Sequence, residues 1–99
     1  MQGIKYDQEK TRWSLLPMDV MDTVVRVLMH GSRKYEDNNW MKVIPKERYY
    51  DACVRHISAW QQGEKMDQES GLPHLAHAIC CLIFLLWHDN NEDNNGRKT

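Results

Sequence analysis

The chain has 99 residues, and its 13 Lys and Arg residues nearly balance its 14 Asp and Glu residues. This length gives room for one domain, and the charge balance argues against a broad basic surface for duplex nucleic acid. Four Trp, four Tyr and several apolar blocks exclude a wholly disordered chain. Only three cysteines are present, two of them adjacent at Cys80 and Cys81, which argues against a secreted disulfide scaffold and favours reduced thiols in a cytoplasmic setting.

Targeting and membrane segments are not expected. The N-terminal residues contain no apolar core of the kind that signal peptides need. The longest charge-free apolar run, from Ala78 to Trp87, has about half of the ~20 residues that a membrane-spanning helix needs. We therefore predict a buried helix at this run and no membrane partner.

In chain order, residues 1–16 are expected to form an extended or irregular arm whose end is anchored by Trp13, Leu15 and Leu16. Pro17 suits a first helical turn, and the apolar residues after it recur at helical spacing. They predict a helix from about Met18 to about Tyr35, with Gly31 as a weak point or an early end. Turn-forming residues from Tyr35 to Trp40 predict a loop.

A second helix is predicted from about Lys46 to Gln62, capped by Gly63, and a third from near Pro73 to about His88. A polar connection, residues 63–73, joins them, and residues 89–99 are expected to form a flexible polar tail. The predicted fold is all-α, a small bundle of three to four helices in a single domain of residues 1–88. Because a chain this small would devote a whole helix to a nearly all-round apolar surface, we expect homo-oligomerisation, as a dimer or a tetramer, to complete the bundle.

The densest group of polar residues lies between Asp51 and His77. Two antiparallel helices with a short connection would bring a set of imidazoles and carboxylates within reach of one another: His56, Glu64, Asp67, His74 and His77. Mixed ligands of this kind suit Mn²⁺, Zn²⁺ or Fe²⁺, whereas carboxylates alone suit Mg²⁺. The alternative is structural: histidines that satisfy local hydrogen bonds, a surface pair of Asp51 and Arg55, and a solvated loop.

Two further groups suit a nucleotide. Residues 34–40 combine a cation, amides and aromatic faces, as a small nucleotide pocket requires, although an Asx-turn with Trp40 in the core explains them as well. Basic residues of the arm, Lys5, Lys10 and Arg12, either close over a polyphosphate or only increase solubility.

These pieces recur together in one family. They are Gly3-Ile4-Lys5-Tyr6-Asp7, Lys10-x-Arg12-Trp13-x-Leu15-Leu16-Pro17, Gly31-x-x-Lys34-Tyr35, Asn38-Asn39-Trp40, Arg48-Tyr49-Tyr50-Asp51-Ala52 and the series from Arg55-His56 to His74-Leu75-x-His77. Over residues 3 to about 88 the chain resembles the small phage and prophage dATP/dGTP diphosphohydrolases, which are related to MazG-like nucleotide pyrophosphohydrolases. The resemblance implies an all-α oligomer in the host cytoplasm. It also implies metal-dependent hydrolysis of a purine dNTP to dNMP and pyrophosphate.

The residues and the resemblance together predict roles for side chains. The expected ligands of a divalent metal, Mg²⁺ or Mn²⁺ with Zn²⁺ as a further option, are His56, Glu64, Asp67, His74 and His77. The expected catalytic residues are Glu64, Asp67 and Arg55. The expected substrate-binding residues are Lys5, Lys10, Arg12, Lys34, Tyr35, Asn38, Asn39, Trp40 and Trp60.

One departure from the family pattern leaves alternatives open. MazG-like enzymes hold Mg²⁺ with Glu-x-x-Glu and Glu-x-x-Asp, whereas this chain has His74-Leu75-Ala76-His77. The metal, the base preference and catalysis itself are therefore open. The alternatives are a non-catalytic phage protein that sequesters a nucleotide signal, and a plain helical interaction protein with structural histidines.

Overall fold

The protein is described by a computed structural model that covers residues 3–94, with side chains up to residue 92. Its helices are α1, Met18–Lys34; α2, Glu47–Gln61; and α3, His74–Asn94. Short 3-10 turns occupy Trp13–Leu15 and Asn39–Lys42. Within this range, extended backbone pairs only at an isolated bridge between Met66 and Pro73, so the prediction of an all-α fold is confirmed. None of the described helices is long and apolar enough to cross a membrane.

The first helix follows the predicted bounds closely. Pro17 precedes it and accepts the first backbone hydrogen bonds, from Val20 and Met21. Asp19 in the first turn and Lys34 in the last complement the helix dipole. The helix runs through Gly31 without ending there, and the Tyr35 N–H donates to the Gly31 carbonyl at 2.8 Å.

The second helix ends as the sequence predicts. Gly63 has a φ of 103°, a conformation that glycine adopts at little cost, and its N–H donates to the Trp60 carbonyl at 3.0 Å. This cap turns the chain into the connection, residues 63–73, that carries part of the candidate site.

The third helix is the central element and packs against both others. It meets α1 through a cluster of Val24, Val27, Ala76 and Cys80. It meets α2 through a second cluster of Cys53, Ala78 and Cys81. Because these side chains are small, the helices approach closely and α3 forms the floor of the space between α1 and α2.

Two expectations about the chain ends are wrong. The third helix continues past His88 to Asn94, because Lys46 before α2 contacts Asp89 and Glu92 and holds the last turns of α3. The part of the expected tail from residue 95 onwards lies outside the described residues.

The end of the arm is not anchored. The 3-10 turn there is closed by backbone hydrogen bonds, from Leu15 to Arg12 and from Leu16 to Trp13. Its side chains remain exposed, Trp13 to 73% and Leu15 to 69%. Hydrogen bonding within the turn, and not side-chain burial, therefore defines its conformation.

Candidate functional site

A cleft of about 710 Å³ lies between α1 and α2 above α3. This volume is within the range of about 300–1,000 Å³ that is usual for small-molecule sites. One wall comes from α1, the other from α2, and α3 with the 39–42 turn closes the floor. The residues that line the cleft include Val27, His30, Gly31, Lys34, Arg48, Ala52, Arg55, His56, Asp67, Glu69, His77 and Phe84.

A chain of hydrogen bonds links two histidines and a carboxylate at one end of this cleft. His56 Nδ1 lies 2.9 Å from His74 Nδ1, and His74 Nε2 donates to Glu64 Oε1 at 3.0 Å. Since the Glu64 carboxylate can only accept, the His74 proton is on Nε2 and His74 Nδ1 accepts from His56. His74 is 5% exposed, so its orientation is fixed by burial as well as by these partners.

A second group of contacts fixes Asp67 and His77 beside this pair. The Ser70 N–H donates to Asp67 Oδ2 at 2.9 Å, and the Ser70 hydroxyl lies 2.7 Å from His77 Nε2. The His77 ring stacks on the His56 ring, with centroids 4.5 Å apart. The Asp67 N–H donates to the Leu72 carbonyl and the Gly71 N–H donates to the Asp67 carbonyl, both at 2.8 Å, so the loop is closed and the carboxylate has a defined position.

Burial sets the charges in this group. It lowers the pKa of His56 and of His77 from the ordinary 6.5, and neighbouring imidazoles lower both further. Burial alone raises the pKa of Asp67, but hydrogen bonds from Ser70 and the nearby imidazoles outweigh it and lower that pKa. At neutral pH these shifts favour uncharged imidazoles at His56 and His77 and an ionised carboxylate at Asp67, the protonation states that metal ligands need.

The donor atoms fit a single metal ion. One ligand atom from each of His56, Asp67 and His74 lies within 4.8 Å of the others. Two ligands about 2.1 Å from one ion are about 3.0 Å apart at a 90° angle and about 3.4 Å apart at a tetrahedral angle, and the 2.9 Å between the two Nδ1 atoms is close to the first value. The bond from His74 to Glu64 has the form of the outer hydrogen bond that orients ligating histidines.

Cationic side chains face each other across the cleft. Lys34 of α1 contacts Glu69 at 2.6 Å, and this hydrogen bond raises the pKa of Lys34 and lowers that of Glu69. Arg48 and Arg55 line the opposite wall from α2. The arrangement offers positive charge on both sides of a bound anion, next to the histidine group.

The structure therefore brings together the five residues predicted as metal ligands. It also places Lys34, Tyr35, Asn38, Asn39, Trp40 and Arg55 along the cleft. Trp40 is packed, stacking on Phe84 at 4.5 Å and meeting Trp87 edge-on at 5.3 Å. Trp60, 46% exposed, is not among the cleft-lining residues, and neither are the exposed arm residues Lys5, Lys10 and Arg12.

Sequence reasoning missed three residues of the site. His30 lies 4.0 Å from Glu69, Ser70 bonds both Asp67 and His77, and Arg48 lines the cleft. Their signals were present but weak. His30 is one helical turn before Lys34 on α1, and Ser70 is three residues after Asp67, the spacing at which a carboxylate accepts from a backbone N–H.

Taken together, the fold and the site define a small all-α protein with a histidine–carboxylate group at a cleft whose two walls carry lysine and arginine side chains. The family model described as dATP/dGTP diphosphohydrolase, N-terminal, matches residues 1–97, and the chain belongs to this family. It is 41% identical, over 91 residues, to a dATP/dGTP diphosphohydrolase of Salmonella phage PMBT28, a match that covers 92% of this chain and 31% of that relative.

This chain thus spans about a third of the length of the relative it matches. No solved structure matches it. The resemblance to the phage dATP/dGTP diphosphohydrolases, predicted from the motifs, is confirmed by the family match and the relative.

Proposed function

We propose that this chain binds a purine dNTP in the cleft and hydrolyses it to dNMP and pyrophosphate with the help of a divalent metal. The observation that carries the proposal is that His56 and Asp67, which form a group with the buried His74, line the same cleft as Lys34 and Arg55. Membership of the dATP/dGTP diphosphohydrolase family supports this class of substrate, as does the name of the phage relative. The proposal includes a distant relation to the MazG-like pyrophosphohydrolases.

The donor set favours a transition metal. Two imidazoles and one carboxylate suit Mn²⁺ or Zn²⁺ better than Mg²⁺, which prefers oxygen ligands. When bound, the ion would polarise a phosphoryl oxygen and lower the pKa of a bound water. His56, His74 and Asp67 are the residues that would hold it, with Glu64 orienting His74.

The remaining side chains position the anion and move the proton. Lys34 and Arg55 neutralise the phosphates from opposite walls, and Lys34 exchanges Glu69 for a phosphate oxygen when substrate enters. His77 lines the cleft beside this group, and its imidazole, whose pKa is lowered by burial, is the side chain that would accept a proton from the attacking water. Glu64 is bonded to His74 and does not line the cleft, so it acts through that histidine and not on the water.

The other end of the cleft suits the base and sugar. Asn38 and Asn39 present amides there and Tyr35 an exposed ring, whereas one face of Trp40 is covered by Phe84. Trp40 therefore supports this wall. Closure of the basic arm over the polyphosphate remains a prediction that is separate from the cleft.

The test is product analysis with matched aspartate variants. The chain is incubated with dATP or dGTP and with Mn²⁺, Zn²⁺ or Mg²⁺ in turn, and the products are separated by anion-exchange chromatography. We expect dNMP and pyrophosphate, lost in Asp67→Asn and retained in Asp22→Asn, whose carboxylate lies on the exposed side of α1.

Release of orthophosphate, or full turnover by Asp67→Asn, would contradict the proposal. Intact nucleotide recovered from the denatured protein after incubation with all three metals would identify the sequestering protein instead.

A further inference from the structure

An ion pair within the cleft joins the connection, residues 63–73, to α1. Glu69 Oε2 lies 2.6 Å from Lys34 Nζ, in the last turn of α1. The same carboxylate oxygen lies 4.0 Å from His30 Nε2, one helical turn earlier. All three side chains line the cleft. A carboxylate of the protein itself therefore faces two nitrogen-bearing side chains of α1 inside the proposed ligand site.

The position that this carboxylate occupies also suits a phosphate. Carboxylate and phosphate both present anionic oxygens, and an ammonium group or an imidazole N–H donates to either of them. Lys34 is in addition the cleft cation that the carboxylate neutralises, so the two anions have to share one partner. We call the position defined by His30 and Lys34 the anion subsite, and Glu69 is its internal ligand.

Glu69 is kept beside the anion subsite by its backbone and not by burial. The Ser70 N–H donates to Asp67 Oδ2 at 2.9 Å and the Gly71 N–H donates to the Asp67 carbonyl at 2.8 Å, so the turn that carries Glu69 is closed. The Glu69 side chain itself is 60% exposed and free to rotate. An exposed pair of this kind is weak, so a ligand with further contacts displaces the carboxylate. The tether then keeps the carboxylate close enough to return.

We propose that Glu69 competes with the ligand for the anion subsite and thereby limits the affinity of the cleft for pyrophosphate. The inference rests on the proposed function, because pyrophosphate is a product of that reaction. While a dNTP is bound, the contacts of its base and sugar hold it in place against this competition. After cleavage, pyrophosphate has lost those contacts, and the Glu69 carboxylate returns to Lys34. Glu69 therefore promotes the release of this product.

The first test is the affinity of the chain for inorganic pyrophosphate. It is measured by NMR titration at one ionic strength and in a chelator, so that only side chains contribute to binding. Glu69→Gln keeps the size of the side chain and removes its charge, and we expect the Kd to fall by about 3- to 5-fold, the range that a weak exposed ion pair supplies. Asp22→Asn is the matched control, since Asp22 also forms an exposed ion pair on α1, with Arg26, but does not line the cleft. Its Kd should equal that of the unmodified chain.

Lys34→Met separates competition at Lys34 from a general loss of negative charge. This change alone should raise the Kd for pyrophosphate. Added to Lys34→Met, Glu69→Gln should leave the Kd nearly unchanged, because the carboxylate and the phosphate then no longer share the lysine. A general electrostatic effect would give the same gain in both backgrounds, and the double-mutant cycle distinguishes the two cases.

Product inhibition gives a second readout. During turnover of dATP, the inhibition constant of pyrophosphate should fall in Glu69→Gln by the same factor as the Kd, and it should not change in Asp22→Asn.

Three results would overturn the inference: an unchanged Kd in Glu69→Gln, a full gain in the Lys34→Met background, or no binding of pyrophosphate to either chain. These results are separate from failure of the proposed function. If the Kd values behave as expected but dATP yields no dNMP, the reaction is wrong and the competition at Lys34 is supported. If dATP is hydrolysed while Glu69→Gln leaves the Kd unchanged, only the competition is wrong.

Discussion

Replacing Glu64 by glutamine separates a positioning role from a catalytic one. Glu64 Oε1 accepts from His74 Nε2 at 3.0 Å, and Glu64→Gln keeps the shape and an acceptor while it removes the charge. Loss of such an outer partner typically costs about 10- to 100-fold in metal affinity. The Glu64 side chain is 45% exposed, so water screens its charge, and we expect the lower half of that range. This corresponds to about 1.4–2 kcal/mol.

The assay is calorimetric titration with Mn²⁺ and with Zn²⁺, followed by kinetics at saturating metal. Glu9→Gln on the exposed arm is the matched control and should bind metal like the unmodified chain. Because Glu64 acts through His74, kcat for dATP should recover once metal is saturating. The change thus separates metal affinity, which falls, from kcat, which does not.

Two results would refute this reasoning. Unchanged metal affinity in Glu64→Gln would show that the carboxylate does not orient a ligating histidine. A kcat that stays low at saturating metal would show that Glu64 acts on the water itself.

The remaining predictions concern the cleft wall, the imidazoles and the thiols. Gly31 lines the cleft and a Cβ added there meets open space, so the ring of Gly31→Phe should occupy the cleft and raise the KM for dATP. Because Gly31 lies inside α1, Gly31→Ala should raise the free energy of unfolding by up to about 1 kcal/mol. Enzyme kinetics and urea unfolding check these two expectations. The lowered pKa of His56 and His77 means that, below their ordinary 6.5, the unfolded chain binds more protons than the folded chain. The free energy of unfolding of the metal-free chain should therefore be highest above pH 6.5 and should decrease as the pH falls below it. Urea unfolding in the presence of a chelator, repeated across this pH range, measures the decrease. Solvated imidazoles would give no decrease. Burial raises the pKa of the Cys80 thiol to about 12, so a thiol reagent should react slowly with the folded chain and quickly in urea; fast reaction of the folded chain would contradict the packing of α3.

Local sequence was sufficient to predict most of the fold. Apolar residues at helical spacing placed α1 and α2 within a residue or so of their observed bounds. Gly63 predicted the end of α2 because glycine adopts a positive φ at little cost in any surroundings, and a residue of positive φ commonly ends a helix. The spacing of His74 and His77 put both on one side of α3, and the short connection limited how far Asp67 could lie from them.

Contacts between distant segments could not be predicted in this way. The extension of α3 to Asn94 depends on Lys46, which contacts Asp89 and Glu92 from the start of another helix. The packing of Trp40 depends on Phe84, more than a helix length away in sequence. In both cases the sequence contains the residues, but only the packing of α2 and α3 determines which of them meet.

The two histidines of the proposed metal site affect its electrostatics. Metal-binding carboxylates add negative charge next to a triphosphate, and this repulsion has to be offset by bound cations. Imidazole ligates a metal in its neutral form, so one divalent ion held by His56, His74 and Asp67 would leave a net charge of about +1 on these three side chains and the ion. Lys34 and Arg55 add positive charge on both walls. A proposed centre of this composition would attract a polyphosphate with a single ion.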